Sequence, residues 1–415
     1  MQINLNCQLS NGNLPQGQTV AQRQLAIGVS AQRPPHNNLP LNLCLILDHS
    51  GSMAGKPMDT VKKAACELLN HMNHHDRISV VGFNHKARVV VPNQPVDYVE
   101  RIKSDIYGLK ADGGTCIDDG IKLGLVELAK GKDGTIGQAF ILTDGENEHG
   151  NNERCLQFAS LATEYNITLH ALGFGDFWNQ DILEKIADVG GGKLVYIPDP
   201  SAADREFQQL LQRVKAVGVT NAHLLLELAP GVRLAELKPI AQVAPETIEL
   251  NYQQEGNTIV VRLGDILTDQ ERAVLVNLYI NYSDRQPMVA ITRVQVRYDN
   301  LGYANLLSSP VDVSARITAD YRPTLQPEVQ NHVLALAKYR QTQMAEAKLK
   351  QGDMAGAATM LQSAAQTALQ MGDRQGATIL QTNATRLQAG TTLSEADRKQ
   401  TRIVAKTVLQ PKPSP

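Results

Sequence analysis

Leu43-Cys44-Leu45-Ile46-Leu47-Asp48-His49-Ser50-Gly51-Ser52 joins a run of five apolar residues directly to a short polar loop. A run that is apolar on both faces reads as a central strand of a covered parallel sheet. The side chains after it then sit on the loop at the strand's carboxyl end, where open α/β sheets bind ligands at the crevice of reversed strand order. Taken alone, Asp-x-Ser-x-Ser is weak, since Asp, Ser and Gly are what any strand-to-helix turn prefers.

The surrounding pattern supports the sheet. From Asn42 to about Arg213, short apolar runs alternate with amphipathic stretches, the signature of strands covered by helices. Expected strands are 43–47, 78–83, 87–91, 138–142, 168–172 and 194–197, with helices over 58–72, 116–129, 152–165, 180–189 and 202–215. The run 87–91 follows its predecessor too closely for a helical crossover, so it is expected as an antiparallel edge strand.

Two further loops carry oxygen donors. Asp112-Gly113-Gly114-Thr115 stands just before a helix, and Thr143-Asp144-Gly145 closes the strand Ala139-Phe140-Ile141-Leu142. With Asp48, Ser50 and Ser52, these loops offer carboxylates and hydroxyls that can converge on one sheet edge. Mg2+ takes near-octahedral oxygen coordination at about 2.0 to 2.1 Å and keeps several waters, so few protein ligands suffice.

These residues resemble the metal-ion-dependent adhesion site (MIDAS) of the von Willebrand factor A (VWA) family, over about Asn42 to Lys215. Ala171-Leu172-Gly173-Phe174-Gly175 and Gly190-Gly191-Gly192-Lys193 resemble its closing segments. The resemblance implies that Ser50, Ser52 and Thr115 give hydroxyls to a divalent cation, while Asp48 and Asp144 contribute charge directly or through water. Mg2+ is the expected cation, with Mn2+ and Ca2+ as alternatives. It further implies a non-catalytic module in which an Asp or Glu of a partner protein completes the coordination. Similar intracellular proteins are associated with MoxR-type ATPases or with signalling phosphatases and kinases, so such a protein is the implied partner. The slot of His49 varies in the family, and a surface position or a place behind the ligands is expected for it.

The remaining chain reads as two further regions. From Val219 to about Ile317, segments 222–228, 247–252, 258–263, 273–282 and 289–298 are separated by turn residues without helical periodicity, which reads as an antiparallel sandwich. Residues 2–9 and 24–31 share that alternation, so the amino-terminal segment is expected to lend it strands. After Pro323 and Pro327 the chain is rich in good helix formers, and Gly352-Asp353…Gly356-Ala357 recurs as Gly372-Asp373…Gly376-Ala377. Each Gly can close one helix in the left-handed conformation and each Asp can cap the next, in the manner of helical hairpins of the tetratricopeptide sort. The expected fold class is thus multidomain α/β + β + α, with a Rossmann-like domain inserted in a β-sandwich and followed by helical hairpins. The expected boundaries are 1–34 for the first sandwich strands, 40–217 for the inserted domain, 218–320 for the sandwich, 324–408 for the helices and 409–415 for a disordered tail.

Composition narrows the function. The 415 residues exceed one ordinary core, and a formal charge of −2 leaves no footprint for nucleic acid or anionic membrane. No apolar stretch approaches the ~20 residues that span a bilayer, and Met1 to Ser10 do not read as a secretory signal. Five cysteines without a CxxC pair suit free thiols in a reducing compartment, so the cytoplasm is expected.

Other readings are weighed on particular residues. A haloacid-dehalogenase-type, Mg-dependent phosphoesterase needs a second carboxylate where Ser50 stands, and neither Ser50 nor Ser52 fits the Gly-x-Ser-x-Gly of a serine hydrolase. A scaffold whose helices bind the partner while the cation is structural is the other alternative. Asp118 and Asp119 read as helix-start charges, and His71, His74 and His75 as a helix end before a metal cluster. Glu146, Asn147 and Glu148 could shape the rim of the site but read rather as a solvated loop. Phe177 and Trp178 could form either an exposed contact or a cap over the sheet edge, and Met344, Met354, Met360 and Met371 as core filling.

Overall fold

The computed structural model describes residues 3–32, 40–175, 177–268, 270–300, 302–323 and 326–406. Residues 1–2, 33–34, 324–325 and 407–408 at the expected domain ends, and the expected disordered tail 409–415, lie outside them. The chain divides into two compact units, one formed by residues 33–221 and 299–304 and the other by the remainder.

The chain begins with β1 (Ile3–Leu9), β2 (Asn13–Pro15) and β3 (Val20–Ala31), and then enters the α/β unit at β4 (Leu41–Asp48). There follow α1 (Lys56–Asn70), β5 (Arg77–Phe83), β6 (Ala87–Pro95), α2 (Val99–Tyr107), α3 (Ile117–Ala129), β7 (Ile136–Thr143), α4 (Asn152–Glu164), β8 (Ile167–Phe174), α5 (Gln180–Val189), β9 (Gly191–Ile197) and α6 (Ala203–Lys215). The sheet order is β6-β5-β4-β7-β8-β9. Only β6 is antiparallel, at the edge, as its short connection to β5 requires.

All eight residues of β4 are buried, and its alternation explains the two layers. Leu43, Leu45 and Leu47 pack with residues of α1, α2 and α6 such as Val61, Ile102, Phe207 and Leu211. Cys44 and Ile46 point the other way, onto α3, α4 and α5 through Ile121, Ala159 and Ile186. Because successive side chains leave opposite faces, a strand apolar at every position can only sit between two helical layers. Each such leucine contributes about 1.5 to 3 kcal/mol of burial. Helix α2 was not expected from the sequence.

The second unit is β-rich and then helical. Its strands are β10 (Val217–Leu228), β11 (Val232–Leu234), β12 (Ile240–Ala244), β13 (Ile248–Glu249), β14 (Tyr252–Glu255), β15 (Thr258–Leu267), β16 (Arg272–Asn281), β17 (Met288–Asn300), β18 (Tyr303–Leu307) and β19 (Val311–Thr318), of which β10, β17 and β18 also reach into the first unit. One sheet has the order β1-β3-β16-β12-β13, with β11 also on β16, and the other β14-β15-β10-β17-β19-β2, with β18 on β17. The amino-terminal strands are therefore shared between both sheets. The stretch 247–252, read as one strand, is divided: β13 pairs with β12 in one sheet, and β14 pairs with β15 in the other. Against the antiparallel expectation, β2 lies parallel to β19.

Helices α7 (Pro327–Lys350), α8 (Met354–Gln370), α9 (Arg374–Gln388) and α10 (Glu395–Lys406) complete the chain. Gly352 and Gly372 adopt φ of +80° and +78°, and the Asp353 and Asp373 carboxylates accept from the N–H of Gly356 and Gly376. Both connections are thus built as the repeated Gly-Asp pair implies. Val329 and Leu336 of α7 pack on Val243 and Leu275 of the first β-sheet, while Leu361, Leu380 and Leu387 build a core among the helices. No helix among the described residues is long and apolar enough to cross a membrane.

Candidate functional site

Counted along the α/β unit, the strand order is 3-2-1-4-5-6, so the direction of winding reverses between β4 and β7. Parallel neighbours whose connections leave toward opposite faces leave a crevice at their carboxyl ends. Asp48 closes β4 at this point and Thr143 closes β7, with Asp144 next in the chain.

Asp48 is fully buried. Its Oδ1 accepts the Ser50 N–H at 2.8 Å and its Oδ2 accepts the Thr143 hydroxyl at 2.5 Å. Ser50 Oγ and Ser52 Oγ lie 3.0 Å apart, and Ser52 donates to Asp144 Oδ1 at 2.7 Å. A chain of hydrogen bonds thus runs from one carboxylate to the other. Thr115 enters from the third loop: a Cβ placed on Gly145 would lie 3.6 Å from Thr115 Oγ1 and 3.9 Å from Ser52 Oγ. The fold therefore brings Asp48, Ser50, Ser52, Thr115 and Asp144 to one place, with Ser52 exposed to solvent and Asp48, Ser50 and Thr115 buried.

Backbone bonds hold these loops in register. The Gly51 N–H donates to Gly113 O at 2.8 Å, Asp112 N–H to His49 O at 2.8 Å, and Cys116 N–H to Asn84 O at 2.7 Å. On the other side, His149 N–H donates to Thr115 O at 2.9 Å. Imidazoles cover the two glycines before Thr115, since a Cβ on Gly113 or Gly114 would come within 2.3 Å of the His85 or His149 ring.

The electrostatics are those of anionic groups held away from water. Burial pushes the Asp48 carboxyl up to about 6, against the lowering effect of the Thr143 and Ser50 hydrogen bonds. Burial also raises Asp144, opposed by the Ser52 hydroxyl. Among the described residues no basic side chain forms an ion pair with either. Two desolvated carboxylates beside three hydroxyls form a set of hard oxygen donors whose charge a divalent cation would balance.

The neighbouring residues settle between the readings offered for them. His49 is buried rather than on the surface: its Nδ1 lies 3.0 Å from Lys110 O, and burial lowers its basicity. A carbonyl only accepts, so Nδ1 carries the proton. Asp118 and Asp119 open α3 and both pair with Arg154, at 3.0 and 3.5 Å. Cys116, Asp118 and Asp119 come within 4.8 Å of one another. That cluster is an ion-paired helix start, and its thiol is pushed up to about 11 by burial. Helix α1 stops at Asn70, so His71, His74 and His75 do not share a helix face. Trp178 caps the sheet edge, buried over Gly173 and donating to Gly175 O at 2.7 Å, whereas Phe177 is exposed.

Sequence reasoning offered Asn147 as rim of the site or solvated loop and missed its reach to α3. Asn147 accepts the N–H of Ile117 at 2.7 Å through Oδ1 and donates to Asn152 Oδ1 at 3.1 Å. It ties the loop of Asp144 to the start of the helix that follows Thr115. Its partner lies thirty residues away in the chain, and no local signal announces such a contact.

Comparison with known proteins agrees with this architecture. The model of the von Willebrand factor type A domain matches residues 42–212, and that of the Sll0103-like C-terminal alpha-helical domain matches residues 327–411. The chain is 55% identical to the Synechocystis sp. protein sll0103 over 100% of its own length and 99% of that protein's. It is 28% identical to the Bos taurus inter-alpha-trypsin inhibitor heavy chain H4, over 43% of this chain and 21% of that one. Among solved structures, a von Willebrand factor type A protein from Catenulispora acidiphila superposes with a TM-score of 0.83 over 98% of this chain and 97% of that one. At 18% identity, that likeness speaks for the fold alone. Proteins with this domain generally bind protein partners, are typically non-enzymatic and commonly hold a divalent metal. With more than half its residues identical to sll0103 from end to end, and with both domain models matched in order, the chain belongs to the sll0103 family of von Willebrand factor type A proteins with a C-terminal helical domain.

Proposed function

We propose that the protein is a divalent-cation-dependent protein-binding module. Ser50, Ser52 and Thr115 would offer hydroxyls to Mg2+, or to Mn2+ or Ca2+ in its place, and Asp48 and Asp144 would supply charge directly or through water. The observation that carries this reading is the hydrogen-bonded chain Asp48–Ser50–Ser52–Asp144 at the strand-order reversal, with Thr115 beside it.

When bound, the cation supplies an electron-poor centre, because neutral hydroxyl ligands neutralise little of its charge. A carboxylate of a partner Asp or Glu is the ligand such a centre attracts. A MoxR-type ATPase or a signalling protein is the proposed class of partner. The five free cysteines, four of them buried, support a reducing, cytoplasmic setting.

The domain reading belongs to the same proposal. Strand β3, which also pairs with β1, pairs with β16, and β2 pairs with β19, both from beyond the α/β unit, which supports insertion of that unit (40–217) into a sandwich made of 1–34 and 218–320, followed by helices over 324–408. The test of function is partner affinity with and without the cation. Affinity should fall in excess EDTA and return with Mg2+; affinity unchanged by chelation refutes the metal-bridged reading and favours binding through the helices.

A further inference from the structure

His49 stands in the chain between Asp48 and Ser50, and its side chain is buried against β5. A Cβ on Gly82 would lie 2.9 Å from Leu109 Cδ2 and 3.0 Å from His49 Cδ2, so the glycine in that buried strand leaves room for the imidazole and for Leu109. Three hydrogen bonds fix His49. Its N–H donates to Phe83 O at 2.8 Å, its Nδ1 donates to Lys110 O at 3.0 Å, and its O accepts the Asp112 N–H at 2.8 Å. Residues 109–112, in the connection from α2 to α3, are thereby held at the carboxyl end of β4.

The segment that follows depends on such an anchor. Gly113 adopts φ of +73° and Gly114 comes next, and glycine has more conformational freedom to lose than any other residue. Beyond them, Thr115 O accepts the His149 N–H and the Cys116 N–H donates to Asn84 O. Before them, the bonds of His49 act together with Gly51 N–H to Gly113 O and Asn84 Nδ2 to Asp112 O.

The second ring nitrogen argues for more than packing. His49 Nε2 is buried and has no hydrogen-bond partner among the described residues. A buried acceptor left without a donor destabilises a fold, and a phenyl ring in the same space would carry no such cost. The imidazole is therefore explained by its Nδ1–H and not by the volume it fills.

We propose that His49 is a positioning residue for Thr115. By donating from Nδ1 to Lys110 O it fixes residues 109–112, and through the short Gly113-Gly114 link it sets where the Thr115 hydroxyl stands relative to Ser50 and Ser52. The inference rests on the cation-binding reading of that site, in which His49 itself is no ligand.

The test uses the full chain. In calorimetry, His49→Phe should weaken Mg2+ affinity about tenfold, and His49→Asn, whose amide can donate from the place of Nδ1, should stay within about threefold of the native chain. His49→Phe should add nothing to the loss in Thr115→Ala but its whole effect to the loss in Ser52→Ala, because only the former removes the residue through which His49 acts. Hydrogen exchange in EDTA gives a reading without the cation. The Asp112 and Cys116 amides should exchange about tenfold faster in His49→Phe and at the native rate in His49→Asn, with the amides of β8 unchanged in both.

His49→Asn as damaging as His49→Phe, unchanged exchange at Asp112 and Cys116, or the whole effect of His49→Phe persisting in Thr115→Ala overturns the proposal. An equal rise of exchange throughout β8 overturns it too, since His49 would then support the fold at large. Absence of Mg2+ binding by the native chain up to about 10 mM would remove the cation reading, while exchange at Asp112 and Cys116 would still decide whether His49 holds the loop of Thr115.

Discussion

Ser52 donates its hydroxyl to Asp144 Oδ1 across 2.7 Å, and this bond joins the loop after β4 to the loop after β7. Ninety-two residues separate the two in the chain. Their meeting is a product of the strand order, which sets β4 beside β7 and points both carboxyl ends at one crevice.

The two aspartates are predicted to differ when replaced. Asp144→Ala removes a partly exposed carboxylate and should lower Mg2+ affinity about a hundredfold with an unchanged melting curve. Asp48→Ala should lower it as far, but this carboxylate is fully buried and holds Thr143 Oγ1 and the Ser50 N–H. Leaving those donors without an acceptor costs about 1 to 3 kcal/mol. Calorimetry with denaturant unfolding separates the effects, and equal stability losses in the two variants would contradict the assignment of roles.

Mg2+ affinity is predicted to depend on pH near 6. Asp48 stands raised to about 6 in the cation-free protein, while cation binding favours the carboxylate. Below pH 6 the cation must displace a proton, and affinity should fall toward tenfold per pH unit. The cation-free fold has the reverse dependence at this group. A raised folded pKa means that the native state binds the proton more tightly than the unfolded chain does. The resulting stabilisation is present below the ordinary carboxylate range and is lost as pH rises through 6. Titrations at pH 5 and 7.5, compared with Asp48→Asn, measure both; an affinity flat across that range counts against the burial of Asp48.

Asn147→Ala should weaken the site without touching it. Its loss removes the acceptor for Ile117 N–H at the start of α3 and loosens the loop of Asp144. A stability cost of about 1 kcal/mol and a several-fold weaker Mg2+ affinity are expected, checked by thermal melts and calorimetry on one preparation.

Asp353 and Asp373 occupy equal places in the repeated sequence but are predicted to be unequal. Asp373 also pairs at 3.1 Å with Lys338, which is 1% exposed, whereas Asp353 pairs with the half-exposed Lys348. Asp353→Ala should cost about 1 kcal/mol, the value of a cap. Asp373→Ala should cost about 3 kcal/mol or more, because a buried charge loses its partner. Denaturant unfolding of the two variants decides; equal costs would deny the buried pair any role.

Much of this arrangement was legible in the chain. Leu43 to Leu47 is apolar at every position, which specifies a strand covered on both faces, and Asp48, Ser50 and Ser52 then fall at its carboxyl end by adjacency. Helix α2 was missed although Val99, Ile102 and Ile106 have helical spacing, because nine residues give that period too few turns to stand out. Strand β19 was missed as a separate element although Val311, Val313, Ala315 and Ile317 alternate. The division of 247–252 between two sheets was not readable at all, since alternation tells which side chains share a face but not which neighbour supplies the hydrogen bonds. The burial of His49 and the reach of Asn147 depend on other loops in the same way.

The most direct measurement is anomalous diffraction from crystals of the full chain soaked in Mn2+. The account predicts one peak within bonding distance of the hydroxyls of Ser50, Ser52 and Thr115, lost in Asp144→Ala. No peak among those three loops, in crystals where they converge as described, would contradict it.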